Sequence, residues 1–379
     1  MNIGIIGTGR RSAAYVELIN SNKYENVKIT ALADSKSENL EGCKNLYFKD
    51  KEVSCYDNYI DLLNDKNVDA IIICTPDTTH REIAINAIKY DKHILLEKPI
   101  ATTAEDAKAI YFACKDYKKT ICLGFVLRYT QFYRKIKSII DNGDIGEVIS
   151  IEAKEMLNYT HASSFYRRWH RDSSTNGGLL NAKCSHDLDI LCWLAGKNPE
   201  YVSSFGGCTH FVENEKASDI CDNCKIKDSC IYDYNTIDYG CLAPVDNNCV
   251  YNCKKDIIDH QVLNIQFGNN VTASFTLSLL SAYENRSIMI FGTKGTISGD
   301  FNARTITVKD LRPDSAITYH LPEQQWGHNG GDSGIMADFI KSACSDKPIN
   351  DVKSGYLSSI LALNADISRK TKKIVPIEL

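Results

Sequence analysis

Several features are scarce or absent in this sequence of 379 residues, and each absence excludes a class of protein. No apolar run approaches the roughly 20 residues that a membrane-spanning helix needs. Lysine and arginine (44) do not outnumber aspartate and glutamate (48), so the formal charge of -4 leaves no broad basic surface for nucleic acid or an anionic membrane. Because the chain enters a strand pattern at Met1-Asn2-Ile3, we expect no signal peptide and a cytoplasmic location.

The composition is that of an ordinary globular protein, with 43% hydrophobic and 24% charged residues. A chain of this length exceeds the size at which a single hydrophobic core usually divides, so two domains are expected. We predict a first domain over residues 1–126 and a second over 127–379. Internal repeats and low-complexity tracts are absent.

Short apolar segments alternate with amphipathic helical ones throughout the first domain. The predicted strands are residues 2–6, 27–33, 69–74, 93–96 and 120–125, with a weaker one near Cys55. Their Val, Ile and Leu runs are nearly continuous, as in parallel strands that are covered on both faces. This order predicts an α/β domain with a doubly wound, Rossmann-type sheet that binds a dinucleotide.

The turn after the first strand has the pattern of a dinucleotide-binding loop, Gly7-Thr8-Gly9-Arg10-Arg11-Ser12. Gly7 permits the tight turn, Gly9 leaves room for a pyrophosphate, and the following helix directs its first N–H groups at that phosphate. Asp34 ends the second strand and is placed to bind the ribose hydroxyls, which favours NAD. Lys36 and Arg10 keep NADP as an alternative.

Further motifs follow in order: Cys74-Thr75-Pro76, His80, Glu97-Lys98-Pro99, and the segment 124–129 that contains Arg128. Together with the glycine loop, they resemble the Gfo/Idh/MocA oxidoreductases (glucose–fructose oxidoreductase, inositol dehydrogenase and relatives). In that family the Thr-Pro turn and the Glu-Lys-Pro segment line the nicotinamide end of the site. The resemblance implies cofactor contacts for these motifs and a catalytic role for Lys98, which would stabilise the oxygen of the reacting carbon. The cofactor-binding residues are therefore predicted to be Gly7, Thr8, Gly9, Arg10, Arg11, Asp34, Thr75, Pro76, His80, Glu97 and Lys98.

The second domain contains a glycine-rich segment that begins at Gly177 and leads to His186-Asp187-Leu188-Asp189. It resembles the family segment in which a histidine is the general acid/base, a role that suits an imidazole because its pKa lies near neutrality. Many family members have an aspartate where this chain has Ala182. Either the neighbouring Lys183 has taken over part of the site, or the chemistry differs from simple alcohol oxidation. Asp189 orients His186 or binds a substrate hydroxyl, unless it is only an acid at the start of a helix.

Other side chains are candidates for binding the substrate. The segment 165–171 combines aromatic rings with cations, as a sugar or an anionic substrate requires, although a surface loop ordered by stacking is an equal alternative. His328 precedes a predicted amphipathic helix, and the adjacent Asp332 is a candidate helix cap. The predicted substrate-binding residues are Lys98, Arg128, Arg168, Trp169, Lys183, His186, Asp189 and His328.

Seven of the 15 cysteines crowd into an insert at about residues 208–253, which is polar and is not expected to order itself by core burial. The spacing of Cys221, Cys224 and Cys230 suits a thiolate zinc site, and Cys241 is taken as the fourth ligand. The alternatives for that position are Cys208, Cys249 and Cys253. We predict a structural zinc ion, with reduced free thiols as the alternative and an iron–sulfur cluster as a third one.

The rest of the second domain has longer alternating segments, which predict an α+β domain with a mixed, largely antiparallel sheet. The predicted strands are residues 148–153, 262–267, 271–279, 287–291 and 305–308, with a hairpin turn at Gly268-Asn269-Asn270. In the family, the exposed face of this sheet commonly forms a dimer contact. The resemblance therefore implies a homodimer or a homotetramer.

These observations predict an NAD-dependent oxidoreductase that transfers hydride to or from a secondary hydroxyl of a sugar, a cyclitol or a derivative. A second hypothesis keeps the fold but recycles NAD within each turnover, so that a transient keto sugar permits glycosidase or epimerase chemistry. A third is a dinucleotide-binding regulator without catalysis. The presence of both Lys98 and His186 argues against this third hypothesis.

Overall fold

The computed structural model describes residues 1–21, 23–49, 51–242, 244–312, 316–323 and 327–378, apart from the side chain of Cys241. The chain forms two compact units. The first comprises Met1–Arg134 and Glu323–Ser359, and the second comprises Lys135–Pro322 and Ile360–Leu379. The sequence predicted a first domain that ends at residue 126. It did not predict that the stretch 323–359 also belongs to the first unit.

The first unit is built on a parallel sheet with helices between its strands. The strands are β1 (Asn2–Ile6), β2 (Lys28–Ala33), β3 (Ser54–Tyr56), β4 (Ala70–Ile73), β5 (His93–Leu96) and β6 (Ile121–Leu123). The helices that connect them are α1 (Arg10–Asn20), α2 (Ser37–Tyr47), α3 (Tyr59–Asn64), α4 (His80–Lys89) and α5 (Ala104–Cys114). The strand order β3-β2-β1-β4-β5-β6 confirms the predicted doubly wound Rossmann sheet.

The apolar strands lie in the centre of this sheet. All four residues of β4, Ala-Ile-Ile-Ile, are buried, as expected for a parallel strand that is covered on both faces. The strand order reverses at β1, which pairs in parallel with β2 on one side and with β4 on the other. The carboxyl ends of β1 and β4 therefore lie side by side, and this is the position at which doubly wound sheets bind their ligands.

The predicted amphipathic helix after His328 is confirmed as α9 (Gly331–Ala343). Ile335 and Phe339 lie one turn apart and pack into the core around Ile3 and Ile5 of the first unit. A side chain at Gly331 would place its Cβ 2.4 Å from the carbonyl oxygen of Val126, so only glycine permits this close approach. Hydrophobic burial and this contact therefore hold α9 against the other elements of the first unit, although α9 is far from them in the sequence.

The second unit contains a sheet of mixed direction. Its strands are β7 (Val148–Met156), β8 (Pro199–Gly207), β9 (His260–Phe267), β10 (Thr272–Ser278), β11 (Asn285–Gly292), β12 (Gly295–Asp300), β13 (Thr305–Asp310), β14 (Ala316–His320) and β15 (Val375–Pro376). The remaining helices are α6 (Gln131–Asp141), α7 (Tyr159–Tyr166), α8 (Leu179–Ala195) and α10 (Val352–Thr371). The strand order is β14-β13-β12-β11-β7-β10-β9-β8-β15. Among the described strand pairs of this second sheet, only β7–β10 is parallel, which confirms the predicted mixed, largely antiparallel sheet.

The predicted hairpin turn at residues 268–270 is also confirmed, because it joins the antiparallel pair β9 and β10. Asn269 and Asn270 both have a φ of 59°, a conformation that asparagine tolerates better than most residues. The strands β8, β12, β14 and β15 were not predicted, since their short or glycine-containing sequences lack a clear alternation of apolar and polar residues. Among the described helices, none is long and apolar enough to cross a membrane.

Candidate active site

The glycine loop after β1 has the geometry of a phosphate-binding turn. Gly7 has a φ of 86°, and a Cβ there would lie 2.7 Å from the carbonyl carbon of Cys74 at the end of β4. At Gly9, by contrast, a Cβ would meet no atom within 4 Å. Helix α1 begins at the next residue without a side-chain cap, so its first N–H groups face this open space. The residues present therefore fit the pyrophosphate of a dinucleotide.

Asp34 is held at this loop by hydrogen bonds. Its Oδ2 accepts hydrogen bonds from the backbone N–H of Thr8 (2.8 Å) and from the Thr8 hydroxyl (3.1 Å). Its Oδ1 accepts one from the backbone N–H of Lys36 at 2.9 Å. The carboxylate is thus fixed next to the glycine loop, where an adenosine ribose is expected.

Arg10 and Arg11 differ sharply in their surroundings, although both were predicted to bind the cofactor. Arg10 is exposed. The Arg11 guanidinium donates hydrogen bonds to Glu97 (2.5 Å) and to Asp332 (2.7 Å), and it lies 4.5 Å from the centre of the Tyr15 ring. Arg11 therefore joins α1 to the end of β5 and to the start of α9.

This ion-pair network keeps its two carboxylates ionised. Burial acts to raise the pKa of Glu97, but the charge of Arg11 and the hydrogen bond from Tyr15 outweigh it, so that pKa is lowered. Burial likewise opposes ionisation of Asp332, whose pKa is held well below its usual range by the hydrogen bond to His328 and by Arg11. His328, a predicted substrate ligand, is 2.9 Å from Asp332 through its Nδ1.

His80 links two of the predicted cofactor-binding segments. Its Nδ1 lies 2.8 Å from the carbonyl oxygen of Pro99, and its Nε2 lies 3.1 Å from the carbonyl oxygen of Thr75. The ring is completely buried. His80 thus positions the turn after β4 against the Glu97-Lys98-Pro99 segment, which places it behind the site as a positioning residue.

Lys98 directly follows the buried Glu97 at the end of β5. The Glu97 carboxylate accepts a hydrogen bond from the backbone N–H of Lys98 at 3.1 Å and one from the Tyr15 hydroxyl at 2.6 Å. Lys98 is half-buried, and its peptide bond to Pro99 is cis. The fixed carboxylate therefore determines the path of the backbone from which the Lys98 side chain extends.

The Arg128 side chain is directed towards the start of α10. Its Nη2 donates a hydrogen bond to the Ser354 hydroxyl at 3.1 Å, and its charge acts to lower the pKa of the nearby Asp351, which burial nevertheless raises. Arg128 therefore has partners within the first unit. Its predicted contact with a substrate stays a prediction.

In the second unit, α8 contains the predicted acid/base histidine. The helix starts directly after Gly177 and Gly178, and most of its residues are buried. His186 is buried, and Asp189, one helical turn further along, is completely buried. The alternative for Asp189 was a solvated acid at the start of a helix. A completely buried carboxylate does not fit that alternative.

Lys183 belongs to a buried network of charges. Its Nζ lies 3.2 Å from the carboxylate of Glu155 on β7 and 3.5 Å from His161 Nε2. Arg286 on β11 binds both Glu155 and Asp187 at 2.8 Å. Burial raises the pKa of Glu155, although both cations act against that rise.

His161 is neutral in this network. Burial and the charge of Lys183 lower its pKa to about 4. Its Nδ1 lies 2.9 Å from the Glu284 carboxylate, so Nδ1 is the protonated nitrogen and Nε2 accepts from the Lys183 ammonium. Lys183, the lysine that follows Ala182, therefore has partners on β7 and α7 of the second unit.

We expect Lys183→Met to lower the free energy of unfolding by about 3 kcal/mol, because it leaves the Glu155 carboxylate with one cation fewer in a buried position. Thermal unfolding measures this loss, and the double variant Lys183→Met/Glu155→Gln should recover at least half of it. Lys154→Met is the matched control, since Lys154 is an exposed lysine on β7, next to Glu155. A raised KM with unchanged stability would contradict this structural role and would assign Lys183 to the substrate.

The remaining substrate candidates lie after α7. The Arg168 guanidinium donates hydrogen bonds to the Ser164 carbonyl (3.3 Å) and hydroxyl (3.1 Å). Trp169 is 43% exposed and stacks on His170 with 3.9 Å between ring centres. The exposed indole is accessible to a ligand, whereas the Arg168 guanidinium contacts Ser164 on the preceding helix, α7.

Several residues that build these networks were not predicted from the sequence, namely Tyr15, Glu155, His161, Glu284 and Arg286. One signal was available for Glu155 and Arg286, because each is a charged residue within two positions of the end of a predicted strand (148–153 and 287–291). The sequence contained no comparable signal for Arg11 and Asp332 as partners, since 321 positions separate them.

The predicted zinc site is not shown by these observations. Among the residues that the structure describes, no group of three or more His, Cys, Asp or Glu side chains is arranged to hold a metal ion. The side chain of Cys241, the predicted fourth ligand, lies outside the described residues.

The Rossmann sheet and the glycine loop are those of a dinucleotide-binding protein. The family model described as "Oxidoreductase family, NAD-binding Rossmann fold" matches residues 1–125, and the model of the C-terminal alpha/beta domain of the same family matches residues 137–378. The chain belongs to the Gfo/Idh/MocA family, and it is an NAD-dependent dehydrogenase of that family.

Individual relatives have several named activities. The myo-inositol 2-dehydrogenase of Thermotoga maritima is 27% identical to this chain over 393 residues, covering 100% of this chain and 99% of that protein. The 2,7-anhydro-N-acetylneuraminate hydratase of Escherichia coli is 30% identical over 210 residues, covering 55% of this chain and 53% of that protein. The solved structure of a levoglucosan dehydrogenase with NADH and levoglucosan has a TM-score of 0.79 and 20% identity, over 100% of this chain and 99% of that chain, and it supports the fold.

Proposed function

We propose that this protein catalyses reversible hydride transfer between NAD and a secondary hydroxyl of a sugar, a cyclitol or a related compound. The observation on which the proposal depends is the set of residues at the carboxyl ends of β1, β2 and β5: the open space at Gly9, the fixed Asp34 carboxylate, and Lys98 next to the buried Glu97. Relatives named inositol 2-dehydrogenase support the substrate class.

The chemistry assigns a distinct role to each ionisable side chain. When bound, the nicotinamide accepts or donates the hydride. A secondary hydroxyl must lose its proton as hydride leaves, and we assign that proton transfer to His186. We assign the stabilisation of the developing alkoxide to the Lys98 ammonium. The substrate contacts of Arg128, Arg168, Trp169, Asp189 and His328 stay predictions.

A second candidate function is a reaction in which NAD is reduced and reoxidised within one turnover. Two observations favour it: Ala182 replaces the usual aspartate, and Lys183 is bound to Glu155 and His161. One relative is named a hydratase, and hydration involves no net oxidation. Such a reaction consumes the substrate without accumulating NADH.

The test is to incubate the purified protein with NAD and a panel of inositols, aldoses and anhydro sugars. NADH absorbance and substrate consumption are measured in parallel. Accumulation of NADH with one class of substrate supports the dehydrogenase, and consumption without NADH by protein that retains NAD through purification supports recycling. Failure to bind any dinucleotide, measured by native mass spectrometry, would overturn both proposals.

We expect wild-type protein to prefer NAD, because a 2'-phosphate would approach the negatively charged Asp34. Asp34→Asn removes the charge but keeps a carbonyl oxygen that accepts the Thr8 N–H. It should therefore raise kcat/KM for NADP about tenfold, since like charges a few ångström apart repel strongly at a protein surface. Steady-state kinetics with both cofactors measure the change, and Asp57→Asn, an exposed site after β3, is the control. Equal use of both cofactors by the wild type would contradict this assignment.

The oligomeric state and the location are further predictions. We propose a homodimer or homotetramer in the cytoplasm, with the exposed face of the second sheet as the contact. That face includes the partly exposed apolar residues Tyr201, Phe205 and Val262. Sedimentation velocity measures the state, and Phe205→Lys should dissociate the oligomer if this face forms it.

A further inference from the structure

Four of the cysteines in the insert surround one small cavity. Cys221, Cys224, Cys230 and Cys249 all line a cavity of about 10 Å³, and three of these four residues are buried. The cavity lies beside an aromatic cluster of Phe211, Tyr232 and Tyr251. The insert therefore does have a small core of its own, contrary to the expectation from its polar sequence.

A backbone pairing explains why Cys249 is near the other three. Ile220 and Asn248 form an isolated antiparallel bridge. On either side of it, the Cys221 N–H donates to the Asn247 carbonyl (3.3 Å) and the Cys249 N–H donates to the Asp219 carbonyl (2.8 Å). Cys249 is thereby placed beside Cys221, although 27 residues separate the two positions. The tight turn from Cys221 to Cys224 is closed by a backbone hydrogen bond of 3.0 Å.

A buried cation adjoins this cluster of thiols. The Arg167 side chain is completely buried, and its Nη2 lies 3.3 Å from Cys221 Sγ and 2.5 Å from the Tyr232 carbonyl oxygen. Among the described residues, its other two nitrogens have no hydrogen-bond partner and no acidic side chain forms an ion pair with it. Asp233 lines the same cavity but accepts its hydrogen bonds from Asn235.

A completely buried guanidinium with no anionic partner is costly, because burial removes its hydration. Four neutral thiols would not offset that cost. Four thiolates around one divalent cation have a net charge of 2-, and a neighbouring guanidinium then has an anionic partner. The backbone N–H of Ser218 also points at Cys224 Sγ, at 3.5 Å, as a donor to a thiolate would.

We propose that Cys221, Cys224, Cys230 and Cys249 bind one zinc ion and that Arg167 compensates the charge of this centre. Binding releases the four thiol protons and requires the cysteine side chains to move, because a zinc ion holds its sulfurs at about 2.3 Å and the described thiols do not form a group arranged to hold a metal ion. Four thiolates leave no open position, so the zinc is structural. Cys249 replaces Cys241 as the fourth ligand.

The first measurement uses the full-length wild-type protein, purified without chelators from zinc-supplemented culture. Inductively coupled plasma mass spectrometry and native mass spectrometry should show about one zinc per chain, and removal with a chelator should make the insert sensitive to proteases. Protein that contains no zinc and takes up none under reducing conditions would overturn the proposal. Bound iron with sulfide, or disulfides among these four cysteines, would overturn it as well.

Three serine variants identify the fourth ligand. Cys249→Ser should weaken zinc binding at least about 100-fold in competition with a chromophoric chelator, whereas Cys253→Ser, in the same insert but outside the cavity, should retain wild-type affinity. Cys241→Ser should also retain it, and loss of zinc in that variant with retention in Cys249→Ser would overturn the ligand assignment.

A further variant tests the buried cation. Arg167→Met should weaken zinc affinity about tenfold, in the range observed for groups that support metal ligands. Unchanged affinity would overturn the role of Arg167. None of these measurements depends on the proposed reaction, because each records metal content or affinity.

Discussion

Replacement of Lys98 by methionine is expected to lower kcat by about 1000-fold, while the affinity for NAD stays within about twofold of the wild type. Methionine matches the length of the lysine side chain but removes the ammonium that we assign to the developing alkoxide. The Glu97 carboxylate, which fixes the backbone at this position, keeps its contacts with Arg11 and Tyr15. Substrate turnover and NAD titration by fluorescence measure the two quantities.

Two control variants make this result specific. Lys89→Met removes an exposed lysine from α4 of the same unit and should leave kcat unchanged. Lys98→Arg keeps the charge but not its position, so it should retain only a part of the activity. A Lys98→Met variant with wild-type turnover would remove Lys98 from the chemistry. Wild-type protein that binds NAD but turns over no substrate of the panel would instead favour the regulator hypothesis.

Replacement of His186 by asparagine is expected to lower kcat by about 100- to 10 000-fold, the usual contribution of a general acid/base. Asparagine retains hydrogen-bonding atoms in this buried position, so the loss should come from the missing proton transfer. The pH profile provides a second test. The limb of the kcat/KM profile that reports the general base should be lost in the variant.

The control for His186 is His320→Asn, because His320 is exposed on β14. Thermal unfolding of both variants separates a loss of stability from a loss of catalysis. His186→Asn could reduce the melting temperature and kcat together. In that case, partial rescue of kcat by added imidazole distinguishes a lost acid/base group from a loss of stability. Retention of the full pH profile in a stable His186→Asn variant would assign the acid/base role to another group.

Local sequence patterns were sufficient for the Rossmann sheet and the cofactor loop. The Ile run of β4 is apolar along its whole length because both faces of a central parallel strand are covered. Gly7 is required because a Cβ would collide with the backbone at Cys74, and Asp34 lies where the second strand ends. Each of these features depends on residues close together in the chain or on a strand order that the alternation of elements predicts.

Other features depended on contacts between distant parts of the chain. Arg11 pairs with Asp332 only because α9 returns to the core of the first unit, and Glu155 meets Arg286 only because β7 and β11 are neighbours in one register. Cys249 lines the thiol cavity because of the pairing between Ile220 and Asn248. Periodicity and turn chemistry are local properties of a sequence, whereas the partner of a buried charge or thiol is set by strand register and helix packing, which arise only when the whole chain has folded.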